Sequence, residues 1–191
     1  ITALLKKLGI YQNTLMFYTS DNGAAKRFDG IHNSSGVMQG KKRSLNEGGI
    51  RVPMVVRWPG KIRAGRVSSH PWYFPDVMPT FAEIGGVSTE VPEDIDGISI
   101  LPTLLDKEVQ KQHEYMFWQY GVRAVRSGKW KGIGKGGHLY LYDLSKDIEE
   151  KNDLSSKYPE IAARMKEYIT IGYREPRSQK DDGKYTGKDK K

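Results

Sequence analysis

The residues with the clearest chemical potential follow a short apolar run near the start of the chain. Residues 15–18 read LMFY, and Ser20, Asp21, Asn22 and Gly23 come directly after Thr19. A short apolar run bounded by turn residues is typical of a strand buried on both faces of a parallel sheet. In open α/β sheets, ligands bind beyond the carboxyl ends of the strands. The sequence therefore predicts a ligand site at Asp21 and Asn22.

Cations follow this acid–amide pair after a polar, glycine-rich loop. The carboxylate of Asp21 and the amide oxygen of Asn22 are hard ligands suited to Ca²⁺ or Mg²⁺. The basic triplet of residues 41–43 can bring positive charge to the same end of the strand. A hard divalent cation next to a lysine ammonium group forms a suitable binding site for a tetrahedral oxyanion. The local sequence also fits an Asx turn or a helix N-cap at SDNG, and a solvated surface at the triplet, so these alternatives stay open.

Two linked motifs narrow the class of protein. The segments SDNG and GKKRSLNEGGIRVP, with VRWPG after them, resemble the second half of a type I, arylsulfatase-like sulfatase of the alkaline-phosphatase superfamily. AVRSGKWKG and LYDLSKDIEEKNDLSSKYPEI are similar to the C-terminal segments of that family. The resemblance covers roughly the whole chain apart from its last stretch. It implies hydrolysis of sulfate esters, either of a sulfated carbohydrate or of an aryl or alkyl sulfate.

The resemblance also assigns roles to individual residues. Asp21 and Asn22 match ligands of a divalent cation, usually Ca²⁺, with Mg²⁺ as the alternative. Lys42 matches the active-site lysine that holds the sulfate oxygens, where a compact ammonium charge neutralises the anion. Arg43, and His32 in the loop between the two motifs, are candidate contacts to the substrate.

Other conspicuous side chains are assigned structural roles. Glu47 and Arg51 are predicted to pair or to hold the lysine loop, without a catalytic role. An aromatic cluster either forms a wall for a sugar or, as is more usual for strand aromatics, belongs to the core. It consists of Phe117, Trp118 and Tyr120.

One family motif does not occur in this chain. The family's nucleophile is a formylglycine made within a Cys/Ser-x-Pro-x-Arg motif, and the 191 residues contain neither that motif nor a cysteine. The resemblance therefore implies that the formylglycine and the remaining metal ligands belong to an absent N-terminal half, which becomes the partner of this chain. The isolated chain is predicted to be inactive.

Two alternative functions remain open from the residues. The first is hydrolysis of phosphate or phosphonate esters by another member of the same superfamily. The second is a non-catalytic fragment or pseudoenzyme that binds sulfated glycans. Calorimetry with Ca²⁺ and sulfated sugars separates these alternatives, because an orphan half-sheet should bind weakly and aggregate, whereas a true binding module should be soluble and monodisperse.

The net charge and the lengths of the apolar runs indicate whether nucleic acids or membranes are partners. The net charge of +8 permits nucleic-acid binding, but the basic residues are spread along the chain without a helix-turn-helix, zinc-finger or RNA-binding signature. An anionic substrate such as a sulfated glycan suits the same charge. The apolar runs are too short to cross a bilayer. We therefore expect neither a nucleic-acid nor a membrane partner, and the resemblance implies a periplasmic or secreted location.

The elements that must position these residues form an α/β core and a smaller α+β unit. Residues 1–108 are predicted to be the C-terminal part of an alkaline-phosphatase-like α/β core. They include helices over residues 1–8 and 75–84, a strand over residues 50–58 after a turn at Glu47, and a short helix ending near residue 105. A long loop covers residues 24–40, which are small, polar and rich in glycine.

The second half of the chain has a different pattern. Residues 109–172 contain four short strand-like runs separated by glycines, followed by an amphipathic helix over residues 158–169, which together predict a small antiparallel sheet covered by one helix. Residues 173–191 are basic and polar, with almost nothing to bury, and are predicted to be a disordered tail.

Overall fold

The computed structural model describes residues 1–28 and 31–175, and it divides the chain into two compact units. The first unit contains Ile1–Thr19 and Pro53–His113, and the second contains Ser20–Val52 and the chain from Glu114 onward. The domain boundaries at residues 108 and 172 stay predictions. Most of the predicted basic tail, from residue 176 on, lies outside the described residues.

The first unit begins with helix α1, Thr2–Lys7, whose C-cap is Leu8, one residue before the predicted Gly9. Gly9 has φ 73°, the left-handed conformation that commonly closes a helix. A 3-10 turn over Tyr11–Asn13 leads into strand β1, Met16–Thr19. Strand β1 pairs antiparallel with β2, Met54–Arg57.

The pairing of β1 corrects one expectation. Within the described residues β1 has an antiparallel partner rather than a parallel one, and Tyr18 in its middle is 76% exposed. The prediction of a strand buried on both faces of a parallel sheet is therefore wrong for the structure described. A four-residue apolar run fits either kind of neighbour, because it does not encode the direction of the strand beside it.

The rest of the first unit is helical and is held by a buried aspartate. Helix α3, Val77–Gly85, follows a 3-10 turn at Phe74–Asp76 and ends at Gly86 with φ 72°, close to the predicted bounds. Asp76 is fully buried and its Oδ1 lies 2.8 Å from Nε2 of His113. A further 3-10 turn over Ser88–Glu90 precedes the short helix α4, Leu101–Leu104.

The segment of the second unit that carries the two motifs has little regular structure. A 3-10 turn covers Lys26–Phe28, and a four-residue helix, α2, covers Glu47–Ile50. The sequence predicts a turn at Glu47 feeding a strand from residue 50; the chain instead makes one helical turn, and β2 begins only at Met54.

The remainder of the second unit is the predicted antiparallel sheet. Four strands lie in the order β3-β4-β5-β6. Helix α5, Pro159–Ile171, follows them and packs against the sheet as predicted. The strands are β3 Met116–Tyr120, β4 Val122–Ser127, β5 Trp130–Lys135 and β6 His138–Asp143.

The sheet has a packed core on each face, because successive side chains of a strand point to opposite sides. The face toward α5 buries Val125, Leu141 and Met165. The opposite face packs Ala124 against Leu45, which belongs to the motif segment. The aromatic cluster follows the same division: Phe117 packs on the first face, and Trp118 and Tyr120 pack on the second. These three aromatics are partly buried and pack against the two cores, as is usual for strand aromatics.

No helix among the described residues has both the length and the apolar character needed to span a bilayer.

Candidate anion and metal site

The segment that follows Asp21 and Asn22 packs closely against helix α2. The amide of Gly23 donates a hydrogen bond to the carbonyl oxygen of Gly49 at 2.9 Å. A Cβ atom on Gly23 would lie 1.9 Å from the carbonyl oxygen of Gly48, so only glycine fits at this position. Asp21 is exposed and Asn22 is half-buried.

The lysine loop, residues 40–46, lies beside the same segment. The amide of Lys42 donates a hydrogen bond to the carbonyl oxygen of Ala24 at 2.9 Å. Gly48 donates to the carbonyl oxygen of Gln39 at 2.7 Å and so closes the base of the loop. Arg43 has φ 77°, a left-handed conformation that non-glycine residues adopt infrequently.

The predicted site residues thus lie on adjacent segments of one unit. Asp21 and Asn22 immediately precede the two residues that bond to Gly49 and Lys42. The side chains of Lys42 and Arg43 are exposed, as is His32 in the stretch between the two motifs. Their roles in binding stay predictions, although the two motifs themselves are in contact.

The donor set is compatible with part of a calcium shell. Asp21 and Asn22 offer a carboxylate and an amide oxygen, whereas Ca²⁺ takes six to eight oxygen ligands. Residues 1–28 and 31–175 contain no group of three or more His, Cys, Asp or Glu side chains placed to hold a metal. His113 and His138 are each engaged with an aspartate, Asp76 and Asp153 respectively, at 2.8 Å.

A buried ion cluster beneath the lysine loop was not anticipated from the sequence. Lys131 on β5 is 0% exposed, and its Nζ lies 2.8 Å from Oε1 of Glu47 and 3.1 Å from Oε1 of Glu150. Arg51 and Arg126 lie 3.7 and 4.0 Å from Oε2 of Glu47. The predicted pairing of Glu47 with Arg51 is therefore confirmed, and Lys131 is the closer partner.

Burial shifts the protonation equilibria around this cluster. Burial raises the pKa of Glu150, and the opposing charge of Lys131 only partly offsets that effect. Burial also lowers the pKa of Arg126, against the attraction of Glu47. The available sequence signal was a lysine flanked by Trp130 and Gly132 in an interior strand of the sheet, but nothing local indicates which carboxylates it meets.

Comparison with known families assigns the class. The family described as N-sulphoglucosamine sulphohydrolase, C-terminal, matches residues 39–173. The chain therefore belongs to the sulfatase family, to whose C-terminal portion it corresponds. This confirms the resemblance that the two motifs and the C-terminal segments indicate.

Individual relatives agree with this assignment. The chain is 39% identical to the steryl-sulfatase of Mus musculus over 146 residues, which are 70% of this chain and 23% of that protein. It is 31% identical to the N-acetylgalactosamine-6-O-sulfatase of Bacteroides thetaiotaomicron over 196 residues, covering 86% of this chain and 37% of that protein.

A solved structure supports the fold. The chain superposes with a TM-score of 0.68 and 26% identity on a protein in complex with its substrate D-glucosamine-2-N,6-O-disulfate. The match covers 95% of this chain and 38% of the other. The predicted fold class, part of an alkaline-phosphatase-like α/β core followed by a small α+β domain, is confirmed. Across these comparisons the chain spans between 23% and 38% of the length of its relatives.

Proposed function

We propose that this chain forms part of a sulfatase that hydrolyses sulfate esters, with Lys42 binding the sulfate group and with Asp21 and Asn22 supplying oxygen ligands to Ca²⁺. The hydrogen bond between Lys42 and Ala24 carries the proposal, because it joins the acid–amide motif to the lysine motif. Membership of the sulfatase family supports the choice of reaction.

Lys42 has the chemistry that an anion site needs. Its ammonium group is a compact charge on a flexible stem, with three donors for the oxygens of a sulfate group. Fixed positive charge beside the sulfur also stabilises the charge that shifts as the S–O bond breaks. The exposed side chain leaves the ammonium accessible to a ligand. Arg43 and His32, also exposed, are candidate contacts to the remainder of the substrate.

Asp21 and Asn22 would hold part of the metal shell. When bound, Ca²⁺ would supply Lewis-acid polarisation of a sulfate oxygen. The further oxygen ligands and the formylglycine nucleophile would come from an N-terminal half of the enzyme, the proposed partner of this chain. Ca²⁺ suits the site better than Mg²⁺, because its coordination is flexible whereas Mg²⁺ demands near-ideal octahedral geometry.

A sulfated carbohydrate is the substrate class best supported. The relative aligned over 86% of this chain is an N-acetylgalactosamine-6-O-sulfatase, and the solved structure holds a disulfated glucosamine as its substrate. The steryl-sulfatase shows that other alcohols occur in related enzymes. Phosphate or phosphonate esters are less well supported, since these relatives are named as sulfatases. A periplasmic or secreted location remains an expectation from the family.

Binding measurements on the chain test the proposal. In the presence of Ca²⁺, NMR titration with inorganic sulfate should shift the Lys42 signals, and Lys42→Ala should weaken sulfate binding by roughly tenfold. Lys61→Ala is the matched control, because Lys61 is an exposed lysine in the first unit. Calorimetry should show weaker Ca²⁺ binding for Asp21→Asn but not for the exposed control Asp94→Asn. Equal sulfate affinity in the Lys42→Ala variant and the unmodified chain contradicts the assigned role.

A further inference from the structure

The two ends of the lysine loop are held by one residue that lies more than a hundred positions away in the chain. Before the loop, Nε2 of Gln39 donates a hydrogen bond to the carbonyl oxygen of Glu150 at 3.1 Å. After the loop, the amide of Glu47 donates to Oε2 of Glu150 at 2.7 Å. The hydrogen bond from Gly48 to Gln39 joins these two ends to each other. Glu150 therefore anchors the loop at its base.

The sheet in turn fixes Glu150. Nζ of Lys131 lies 3.1 Å from Oε1 of Glu150, an ion-pair distance without the alignment of a hydrogen bond. The same ammonium hydrogen-bonds to Glu47 at 2.8 Å, so one buried cation on β5 serves both carboxylates. Glu150 has φ 53°, a conformation that persists in a non-glycine residue when its surroundings enforce it.

The loop itself has a composition that needs such an anchor. Residues 41–43 are three consecutive cations, whose like charges repel each other. Within the loop, the amide of Ser44 donates to the carbonyl oxygen of Lys41 at 2.8 Å, and Arg43 has a left-handed backbone. At the end of the loop, the buried carboxylate of Glu150 accepts the hydrogen bond of the Glu47 amide.

We infer that Glu150 is a positioning residue for Lys42. From the segment that follows β6 it fixes the base of the lysine loop and so the main-chain position of Lys42, while Lys131 on β5 holds Glu150. The assignment of Lys42 as the anion ligand rests on the proposed function. The anchoring of the loop rests on the contacts described here.

Amide hydrogen exchange of the 191-residue chain tests the anchoring directly. Glu150→Ala removes both the acceptor for Glu47 and the partner of Lys131, and it should speed exchange at the Lys42 and Gly48 amides by about tenfold or more. The amide of Val125, in the interior strand β4, reports on the sheet and should change far less. Glu150→Gln keeps an acceptor oxygen and should restore much of the protection at both loop amides.

The neighbouring residue provides a matched control. Glu149 pairs with Lys151 at the surface, and Glu149→Gln should leave exchange at the loop amides unchanged. Unchanged exchange at Lys42 in Glu150→Ala overturns the inference. Acceleration by the same factor at Val125 also overturns it, because the effect would then be global unfolding rather than release of the loop.

Sulfate binding tests whether Glu150 acts through Lys42, which a purely structural role of Glu150 would not require. Glu150→Ala should weaken the affinity for inorganic sulfate by about threefold or more, and this loss should vanish in a Lys42→Ala background. An equal loss in both backgrounds overturns the link between Glu150 and Lys42. If the unmodified chain binds no sulfate, the proposed function fails, whereas the exchange rates still decide whether Glu150 anchors the loop.

Discussion

The amide nitrogen of Lys42 lies 2.9 Å from the carbonyl oxygen of Ala24, to which it donates a hydrogen bond. With the bond from Gly23 to Gly49, this contact ties the segment after Asp21 to the lysine loop through main-chain atoms alone. Main-chain hydrogen bonds therefore join the acid–amide segment to the segment of Lys42, in addition to the anchor that Glu150 gives the loop. Substitutions that disturb the backbone should affect the site as strongly as substitutions of its side chains.

Gly23→Ala should disrupt this arrangement. A Cβ atom at that position would lie 1.9 Å from the carbonyl oxygen of Gly48, which is backbone and cannot rotate away. We expect a loss of about 2–3 kcal/mol in the free energy of unfolding, measured by urea denaturation, because overpacking forces backbone shifts. Calcium binding at Asp21 should weaken in parallel.

A second glycine gives the control for this prediction. A Cβ atom on Gly85 would meet Cγ2 of Val87 at 3.7 Å, an ordinary contact. Gly85→Ala should therefore change the free energy of unfolding by less than about 1 kcal/mol. Equal effects of the two substitutions would show that the close approach at Gly23 is not the constraint described here.

Lys131→Met should be among the most destabilising changes of a charged residue in the second unit. The substitution leaves the buried carboxylates of Glu47 and Glu150 without their shared cation, at a cost of about 3–5 kcal/mol in the free energy of unfolding. Lys151→Met is the control, because it removes a pair with Glu149 in which both side chains are substantially exposed, and it should leave the free energy of unfolding nearly unchanged. Thermal and urea unfolding of both variants measure the difference.

The loss in the free energy of unfolding caused by Lys131→Met should also depend on pH. Burial already raises the pKa of Glu150, and loss of the opposing lysine charge raises it further in the folded variant. A carboxyl group whose folded pKa is raised contributes stability at low pH, and that contribution is lost as the pH rises through the folded pKa. The gap between variant and unmodified chain should therefore narrow as the pH falls from about 7 toward about 4. A gap that is constant across this range contradicts the prediction.

The elements that the sequence predicted correctly are those with a local signal. Helix α3 and helix α5 have amphipathic spacing, and the four strands of the second unit are separated by glycines. The antiparallel partner of β1 was not predictable, because a strand does not encode the direction of its neighbour. The motif residues are identified by the resemblance of two linked segments to the sulfatase family. The cluster joins Glu47, whose pairing with Arg51 is predicted, to Lys131 and Glu150, which look like ordinary surface charges in the sequence.

Asp153 should contribute stability that is lost in acid. Partial burial acts to raise its pKa, but hydrogen bonds from the Leu141 amide, from His138 and from Ser155 outweigh burial and lower the pKa to about 2. A depressed folded pKa stabilises the protein above the unfolded pKa, and the contribution disappears as the pH falls through the folded value. Because the carboxylate is about one-third exposed, we discount the shift to about 1 kcal/mol.

Asp153→Ala tests this contribution. The variant should be less stable than the unmodified chain by at least about 1 kcal/mol at neutral pH, with a difference that shrinks between about pH 4 and pH 2. The loss of the carboxylate also leaves the amide of Leu141 without its acceptor, so part of the deficit should persist at every pH. A loss in the free energy of unfolding that is the same at every pH would contradict the role assigned to the charge of the Asp153 carboxylate. Urea unfolding at a series of pH values supplies the measurement.

The chain on its own should not turn over a sulfate ester. No Cys/Ser-x-Pro-x-Arg sequence occurs in its 191 residues, so it has no site at which the family's formylglycine could form. The covalent route of the family is therefore closed to this chain, and an aryl sulfate incubated with the purified chain and Ca²⁺ should release product close to the background rate. The Lys42→Ala variant distinguishes contamination from catalysis. Activity that is equal in both preparations belongs to a contaminating enzyme, whereas robust activity that is lost in Lys42→Ala would show that the chain is catalytic alone.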